Sequence, residues 1–179
     1  MNALFELVDL SSDTEIMELK SVELPTVQIL LADDDSRIQK ILHRLLIDEG
    51  YAVVTAASRA EAANLARVTK FDLAILDLNM PIKDGWETLE QIASSQPLLP
   101  VIVITERPNQ LFPALASGVG ALLEKPLDFT KLFSTIHSLL EEPIEIRIAR
   151  SSGQSSVFSY IPPKADETEE DEEDDIGRL

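Results

Sequence analysis

Short, continuous apolar runs alternate along the chain with longer segments whose apolar residues recur every three or four positions. The short runs have the length and the lack of alternation that are typical of strands buried on both faces of a parallel sheet. The longer segments are amphipathic, which predicts helices that cover such a sheet. The predicted strands are residues 27–32, 51–55, 73–76, 101–104 and 121–124.

The five-fold repeat of strand and helix predicts an α/β domain, a doubly wound parallel sheet with right-handed crossovers. Local signals mark the helix ends. Ser58 and Glu61 have the spacing of a capping box, and Asp128 is placed to cap the last helix. Gly50 suits the end of the first helix.

The chain divides into four predicted parts. Residues 1–25 form an N-terminal arm and residues 26–142 carry the repeat. In residues 143–163, isoleucine alternates with charged residues over 144–148, a Ser-Ser-Gly turn follows, and 157–161 predicts a return strand, so we expect a β-hairpin. Residues 164–179 are an acidic run with few apolar residues, and we expect them to be disordered.

Charge limits the classes of partner. The net charge is −17, and residues 165–179 hold nine acids against Arg178, a sum of −8, so the rest of the chain carries −9. Binding to nucleic acid needs clustered Lys and Arg, so we predict none. No apolar run is long enough to span a bilayer and no secretory signal is present, so we expect no membrane association and a cytoplasmic location.

Polar groups follow four of the predicted strands. They are Asp33, Asp34 and Asp35 after the first, Asp77 after the third, Thr105 after the fourth and Lys125 after the fifth. Because the carboxyl ends of parallel strands share one edge of a sheet, we expect these groups to converge there. Singly, each has an ordinary interpretation as a helix cap, a solvated strand end or a surface lysine.

Together these groups predict phosphoryl transfer to an aspartate. Clustered carboxylates repel one another, and Mg²⁺, which prefers oxygen ligands, relieves that repulsion. A strand-end carboxylate then serves as nucleophile, while the metal ion and the lysine neutralise charge on the transferred group.

Residues 26–142 resemble the response-regulator receiver domain of two-component signalling. The matching positions are Asp33-Asp34, Asp77 with Asn79-Met80-Pro81 and Asp84-Gly85, Thr105, and Lys125-Pro126. The resemblance implies a flavodoxin-like sheet with strand order 2-1-3-4-5, and a cis peptide bond between Lys125 and Pro126.

The resemblance also implies a role for each site residue. Asp77 is then the phosphoacceptor. Asp34, Asp77 and the backbone carbonyl of Asn79 bind Mg²⁺ directly, and Asp33 acts through a metal-bound water. Thr105 hydrogen-bonds the phosphoryl group and Lys125 pairs with it.

Three features depart from the family pattern. Glu106 follows Thr105 where the family usually has a small residue, and its carboxylate adds like charge near the incoming group. Leu122 occupies the switch position, three residues before the lysine, where the family has an aromatic ring. The connection that holds Pro108 and Pro113 is short, since prolines disfavour a long helix.

The leading functional prediction is a stand-alone phosphoacceptor that receives phosphate from a sensor histidine kinase or a phosphotransfer protein. Its output then passes to an unknown partner protein, and its only catalysis is its own phosphotransfer and dephosphorylation. The alternative is a pseudo-receiver that binds partners without phosphorylation. A phosphatase of the haloacid-dehalogenase type is set aside, because it requires an acid where this chain has Asn79.

Overall fold

A parallel sheet with helices on both faces forms the domain in the computed structural model, which describes residues 26–80, 85–107, 109–154 and 157–164. The strands are β1 (Gln28–Ala32), β2 (Ala52–Ala56), β3 (Leu73–Asp77), β4 (Val101–Thr105), β5 (Ala121–Glu124) and β6 (Ser159–Ile161). The helices are α1 (Ser36–Asp48), α2 (Arg59–Val68), α3 (Gly85–Ser95), α4 (Leu111–Ala116), α5 (Phe129–Leu140) and α6 (Ile144–Ser151).

The strand order is β2-β1-β3-β4-β5-β6 and every pair is parallel. The predicted doubly wound fold and the order 2-1-3-4-5 are therefore confirmed, with a sixth strand added beside β5. The continuous apolar runs are explained by burial on both faces, because all five residues of β3 and of β4 are buried.

The sheet separates two apolar cores. Alternate strand residues such as Leu30 and Val103 pack with α2, α3 and α4 on one face. Their neighbours, such as Ile29 and Ile102, pack with α1 and α5 on the other face. The period-two geometry of a strand assigns successive side chains to opposite cores.

The helix caps follow the sequence signals. The Ser58 hydroxyl accepts a hydrogen bond from the Glu61 N–H, and the Glu61 carboxylate accepts one from the Ala57 N–H. The Asp35 and Asp128 side chains cap α1 and α5. These caps fix the start of each helix close to the edge where the strands end.

The predicted β-hairpin is wrong. Residues 144–151 form helix α6, and β6 pairs in parallel with β5 rather than in a hairpin with residues 144–148. The residue that α6 buries is Arg150, whose guanidinium forms two 2.6 Å hydrogen bonds with the Glu142 carboxylate. The isoleucine alternation therefore marks no buried strand face, since Ile144 and Ile148 are exposed.

A close backbone contact also holds α6. Gly118 has a φ of 70°, and a Cβ atom there would lie 3.1 Å from the Arg150 carbonyl oxygen. Any other residue would be strained by its backbone conformation and would crowd α6. Gly118 therefore allows α6 to return the chain to the start of β5.

The β6 segment follows β5 toward the edge at which the strands end. The Ser159 N–H donates to the Gly120 carbonyl at 3.1 Å, and the Lys164 N–H donates to the Pro126 carbonyl at 2.9 Å. Because β6 is parallel to β5, its C-terminal end lies at the same edge as Lys125 and Asp77.

Several predictions fall on other parts of the chain. Arm 1–25, the turn at residues 81–84, Pro108 and residues 165–179 lie outside the described residues. The connection that holds Pro113 contains the six-residue helix α4, which has Pro113 in its first turn and ends before Gly118, in agreement with the prediction that its prolines disfavour a long helix. None of the helices in the described ranges is long and apolar enough to cross a bilayer.

Candidate functional site

The ends of β1, β3, β4 and β5 bring the expected polar groups together. The register pairs Ala32 with Leu76, so Asp33 and Asp77, which follow them, are neighbours. Thr105 is in register with Glu124, the residue before Lys125. The convergence expected from the sequence is therefore present in the fold.

Asp77 is almost completely buried and both of its carboxylate oxygens accept hydrogen bonds. Its side chain is 3% exposed. Oδ1 accepts a 2.7 Å hydrogen bond from the Asn79 N–H, and Oδ2 accepts one of 2.7 Å from Lys125 Nζ. These contacts fix the plane of the carboxylate in the pocket.

Lys125 is the cation at the centre of the site. Its Nζ lies 3.6 Å from Asp33 Oδ2 and 3.9 Å from Glu106 Oε1, besides its contact with Asp77. Burial alone lowers the pKa of Lys125, but the hydrogen bond to Asp77 and the charges of Asp77, Asp33 and Glu106 outweigh it, so the pKa is raised. The side chain is therefore a permanent ammonium at neutral pH.

The acidic cluster suits a hard cation. Carboxylate oxygens of Asp33, Asp34 and Asp77 lie within 4.8 Å of one another. Asp33 Oδ2 is buried and, among the described residues, has no hydrogen-bond partner. An all-oxygen donor set with an unsatisfied buried oxygen fits Mg²⁺.

The pKa of Asp33 is raised by its surroundings in the site. Burial is the largest influence and raises the pKa of Asp33. The hydrogen bond from the Asp35 N–H and the charge of Lys125 oppose this rise, while Asp77 and Asp34 add to it. Burial and the neighbouring carboxylates together outweigh the Asp35 hydrogen bond and the Lys125 charge, so ionisation of Asp33 is disfavoured.

Thr105 is fully buried at the end of β4. Its Oγ1 accepts a 2.9 Å hydrogen bond from the Arg107 N–H, which uses an oxygen lone pair and leaves the hydroxyl hydrogen as a donor. The end of β4 thus presents a hydroxyl at the sheet edge that holds the carboxylates.

Glu106 and Leu122, two of the departures from the family pattern, both lie among the described residues. The Glu106 side chain is 67% exposed, so most of it lies in solvent, and its charge faces Lys125. Leu122 is completely buried in the core and is in register with Tyr160 of β6. A leucine in that position offers no hydroxyl to the site.

The sequence analysis missed two residues that hold the backbone of the site. Gln39 on α1 donates from Nε2 to the carbonyls of Asp33 and Ala56, at 3.0 and 2.9 Å. Arg59, the first residue of α2, donates from Nη2 to the Leu78 carbonyl at 2.9 Å. Neither residue stands in a motif, and their acceptors are backbone oxygens distant in sequence, so the sequence carries no signal for them.

Comparison with known proteins gives the family. The model of the response regulator receiver domain matches residues 29–137. The transcriptional regulatory protein GlrR of Escherichia coli (strain K12) is 39% identical over 116 residues, which is 64% of this chain and 26% of GlrR. ZraR of Salmonella typhimurium (strain LT2) is 33% identical over 137 residues, 75% of this chain and 31% of ZraR. The matches thus span about a quarter to a third of these relatives.

Solved structures agree with the family match. A CheY-like receiver domain protein from Methanospirillum hungatei JF-1 has a TM-score of 0.62 and 29% identity, covering 65% of this chain and 94% of its own. Chemotaxis response regulator CheY4 of Vibrio cholerae has a TM-score of 0.59 and 29% identity, covering 64% and 98%. The family model, the sheet order and the polar edge agree, and the chain belongs to the response regulator receiver domain family.

Proposed function

We propose that this protein accepts a phosphoryl group on Asp77 from a phosphohistidine of a sensor histidine kinase or a phosphotransfer protein. One observation carries the proposal. A lysine ammonium, on a side chain that is 12% exposed, bridges Asp77 and Asp33 at 2.7 and 3.6 Å, within a cluster of three carboxylates at the C-terminal edge of a parallel sheet. That arrangement combines a nucleophile with the charges that phosphoryl transfer needs.

The transfer exchanges one bond to phosphorus for another. A carboxylate oxygen of Asp77 attacks phosphorus, the bond from phosphorus to the donor imidazole nitrogen breaks, and the electron pair returns to the imidazole. The product is an acyl phosphate on Asp77 and a free histidine on the donor. The Asn79 N–H and Lys125 hold the carboxylate in place for the attack, which lowers the entropic part of the barrier.

Lys125 and Thr105 act on the product. When the carboxylate becomes an acyl phosphate, its negative charge moves outward to the phosphoryl oxygens. The Lys125 ammonium, which now contacts Oδ2, follows the charge and pairs with one of these oxygens. The hydroxyl hydrogen of Thr105 donates to another.

Asp34, Asp77 and the backbone carbonyl of Asn79 are the proposed direct ligands of Mg²⁺, and Asp33 the proposed partner of a metal-bound water. When bound, the ion neutralises negative charge on the carboxylates and on the phosphoryl oxygens. The unsatisfied buried oxygen of Asp33 supports the assignment.

A surface beside the site suits a protein donor. A groove of about 510 Å³ runs from Lys125 and Glu106 along α1, with Ile38, Ile41 and Phe129 in its wall. Ile41 and Phe129 are 49% and 42% exposed. A donor that docks there brings its histidine close to Lys125, which supports a protein rather than a metabolite as the donor.

We further propose that the output is a contact with another protein. The relatives GlrR and ZraR are named as transcriptional regulatory proteins, but the matched region is about a quarter to a third of each. The net charge of −17 opposes direct binding to nucleic acid by this chain.

A second candidate is a pseudo-receiver that binds partners without phosphorylation. Glu106 favours it, because a carboxylate 3.9 Å from Lys125 competes for the cation that the phosphoryl group needs. Leu122 favours it as well, because it cannot change a hydrogen bond when the site is filled. Phosphotransfer remains the better-supported proposal, because every acid, the hydroxyl and the lysine are in place.

Incubation with Mg²⁺ and acetyl phosphate, followed by intact mass measurement, tests the proposal. The expected result is the gain of one phosphoryl group in the wild-type protein and none in the Asp77→Asn variant, whose circular dichroism stays unchanged. The absence of any mass gain in the wild-type protein, with donor and Mg²⁺ at saturation, would favour the pseudo-receiver. An equal gain in the Asp77→Asn variant would contradict the choice of Asp77.

A further inference from the structure

Glu106 is an exposed acid beside the cation of the site. It follows Thr105, the last residue of β4, and its side chain is 67% exposed. Its Oε1 lies 3.9 Å from Lys125 Nζ, whereas Asp77 Oδ2 accepts a hydrogen bond from the same ammonium at 2.7 Å. Because 3.9 Å is too long for a hydrogen bond, the Glu106 carboxylate keeps its acceptor sites for another donor.

The negative charge of Glu106 has little compensation from the protein. Among the residues that the structure describes, Lys125 is the cation within ion-pair distance of Glu106, and Asp77 and Asp33 share it. Three carboxylates thus face one ammonium, and the farthest of them is Glu106. A negative charge in this position remains available to attract a cationic group that enters the site.

The groove beside the site brings Glu106 and Lys125 into one cavity. These two are the charged residues in the lining of the groove of about 510 Å³, and the other lining residues, such as Ile38, Leu127 and Phe129, are apolar. A group that is bonded to phosphorus at Lys125 therefore has room in a groove with apolar walls and one carboxylate. An imidazole ring, with carbon atoms on its faces and an N–H at its edge, suits such a lining.

Phosphodonors differ in the charge of the group that leaves phosphorus. In phosphohistidine, the ring nitrogen that is not bonded to phosphorus can carry a proton. The bond from phosphorus to the other nitrogen breaks, the electron pair returns to the ring, and a neutral imidazole leaves with that proton. In acetyl phosphate, the bond from phosphorus to the acyl oxygen breaks, the oxygen keeps the electron pair, and an acetate anion leaves.

A carboxylate in the groove treats these two leaving groups in opposite ways. It accepts a hydrogen bond from the ring N–H and favours the protonated ring, which is the better leaving group. It repels the negative charge that develops on the departing acetate. The phosphoryl group is common to both donors, so its own repulsion from Glu106 does not change the preference between them.

We propose that Glu106 selects the phosphodonor by the charge of its leaving group, so that the site prefers a phosphoryl group on a protonated nitrogen to an acyl phosphate. This inference rests on the proposed function of Asp77 and adds the chemical class of donor that the site accepts. It also gives a function to one departure from the family pattern. Glu106 slows the reaction with anionic donors, and its hydrogen bond to the ring offsets that effect for phosphohistidine.

The first test compares the rates at which monophosphoimidazole and acetyl phosphate label Asp77, each below saturation and with saturating Mg²⁺. The measured quantity is the ratio of the two second-order rate constants. Glu106→Gln keeps the size of the side chain and removes its charge, so the preference for monophosphoimidazole should fall roughly tenfold. Even in water, one unit charge about 4 Å from another changes a rate about fivefold, and here attraction and repulsion combine.

The matched control is Glu90→Gln. Glu90 is an exposed residue of α3, which packs on the face of the sheet opposite to α1 and Phe129. The substitution changes the net charge of the chain by the same amount as Glu106→Gln, and the ratio should stay at the wild-type value. Glu106→Asp, which keeps the carboxylate, should retain most of the preference.

A salt series in the wild-type protein needs no substitution. The preference should shrink toward that of Glu106→Gln between about 0.1 and 1 M salt, because the Debye length falls from about 10 to about 3 Å. A preference that is insensitive to salt would contradict a selection by charge.

Two outcomes would overturn the proposal while leaving Asp77 as the phosphoacceptor. One is a wild-type ratio in Glu106→Gln with unchanged circular dichroism, which would mean that the charge of Glu106 has no role. The other is an equal fall of the ratio in Glu90→Gln, which would assign the effect to the net charge of the chain. If neither donor labels any of the proteins, the proposed function itself fails, and the donor preference with it.

Discussion

Asp33 is a buried carboxylate whose negative charge has, among the described residues, only a distant cation, Lys125, beside it. Its Oδ1 accepts the Asp35 N–H at 2.8 Å, whereas its Oδ2 is buried with only Lys125 at 3.6 Å. Lys125 is 0.9 Å closer to Asp77, so it neutralises Asp77 first. The consequence is a carboxylate whose ionisation works against folding until a second cation is bound.

The stability of the protein should therefore depend on pH through Asp33. Its pKa is raised above the ordinary value of 3.8, chiefly by burial, so the folded state holds the proton more tightly than the unfolded state. The stabilisation from that proton is complete below 3.8 and is lost as the pH rises through the raised pKa.

The Asp33→Asn variant, which lacks this ionisation, should be more stable than the wild type at pH 7 without Mg²⁺, by about 1 kcal/mol. The advantage should shrink as the pH approaches 4. Urea unfolding at a series of pH values with a chelator present measures both effects, and Asp34→Asn at the exposed neighbour is the matched control. An advantage that stays constant with pH would show that Asp33 ionisation is not its source.

Addition of Mg²⁺ should make the wild type more stable than the Asp33→Asn variant. Binding to the native state alone stabilises by about 1.4 kcal/mol when Mg²⁺ is tenfold above its dissociation constant. The wild-type melting temperature should therefore rise with Mg²⁺, and Asp34→Ala, which removes one proposed ligand, should abolish the rise. Thermal unfolding with Mg²⁺ and with the same ionic strength of Na⁺ distinguishes binding from screening. A wild-type curve that responds equally to both salts would contradict the site.

At the scale of elements, α6 depends on a charged pair rather than on an apolar face. The Arg150 and Glu142 side chains are 6% and 7% exposed, and their two hydrogen bonds are parallel. Arg147 adds two hydrogen bonds to the carbonyls of Leu139 and Leu140, which end α5. The helix is thus attached to the end of α5 by its arginines.

Loss of Arg150 should be severe, because it removes both hydrogen bonds to the buried Glu142 carboxylate and leaves it only Arg147 Nε at 3.9 Å. We expect Arg150→Ala to lower the free energy of unfolding by about 3–5 kcal/mol. The double variant Arg150→Met with Glu142→Leu should recover much of that loss, since an apolar pair of similar volume carries no unpaired charge. Urea unfolding measures both. Equal losses in the single and double variants would mean that packing, not charge, is what Arg150 supplies.

The attachment of α6 by its arginines explains why the sequence predicts the five-stranded sheet but neither α6 nor the parallel strand β6. Strands β1, β3, β4 and β5 are readable because most of their residues are buried on both faces and therefore apolar, and the polar residues that end them stand out for the same reason. Residues 144–148 alternate as a strand does, yet the deciding interaction joins Arg150 to Glu142 and the start of β5, which the pattern does not encode. Gln39 and Arg59 were not predicted for a similar reason, because their side chains donate hydrogen bonds to backbone carbonyls, which carry no sequence signal.

At the scale of the whole molecule, β6 determines which strand is the edge of the sheet. Without it, the polar backbone groups of β5 between Ala121 and Leu123 have no neighbour on that side. An open edge beside an apolar core is a template for pairing with another chain. With β6 in place, the edge is a three-residue strand that ends in Pro162 and Pro163, which cannot donate hydrogen bonds.

A chain that ends at Glu142 should therefore differ from one that ends at Lys164 in both stability and association. It loses α6, the β6 hydrogen bonds and the packing of Phe158, a partly buried side chain whose contribution is below the roughly 1.5–3 kcal/mol of a fully buried one. We expect a loss of about 3 kcal/mol or more in the free energy of unfolding, together with concentration-dependent oligomers in light scattering, because β5 and Leu122 become accessible.

The chain that ends at Lys164 is the matched control, since it keeps β6 and loses only residues 165–179. Its free energy of unfolding should equal that of the full chain, and so should its oligomeric state. Equal stability and equal mass for the chain that ends at Glu142 would show that α6 and β6 are dispensable for the sheet.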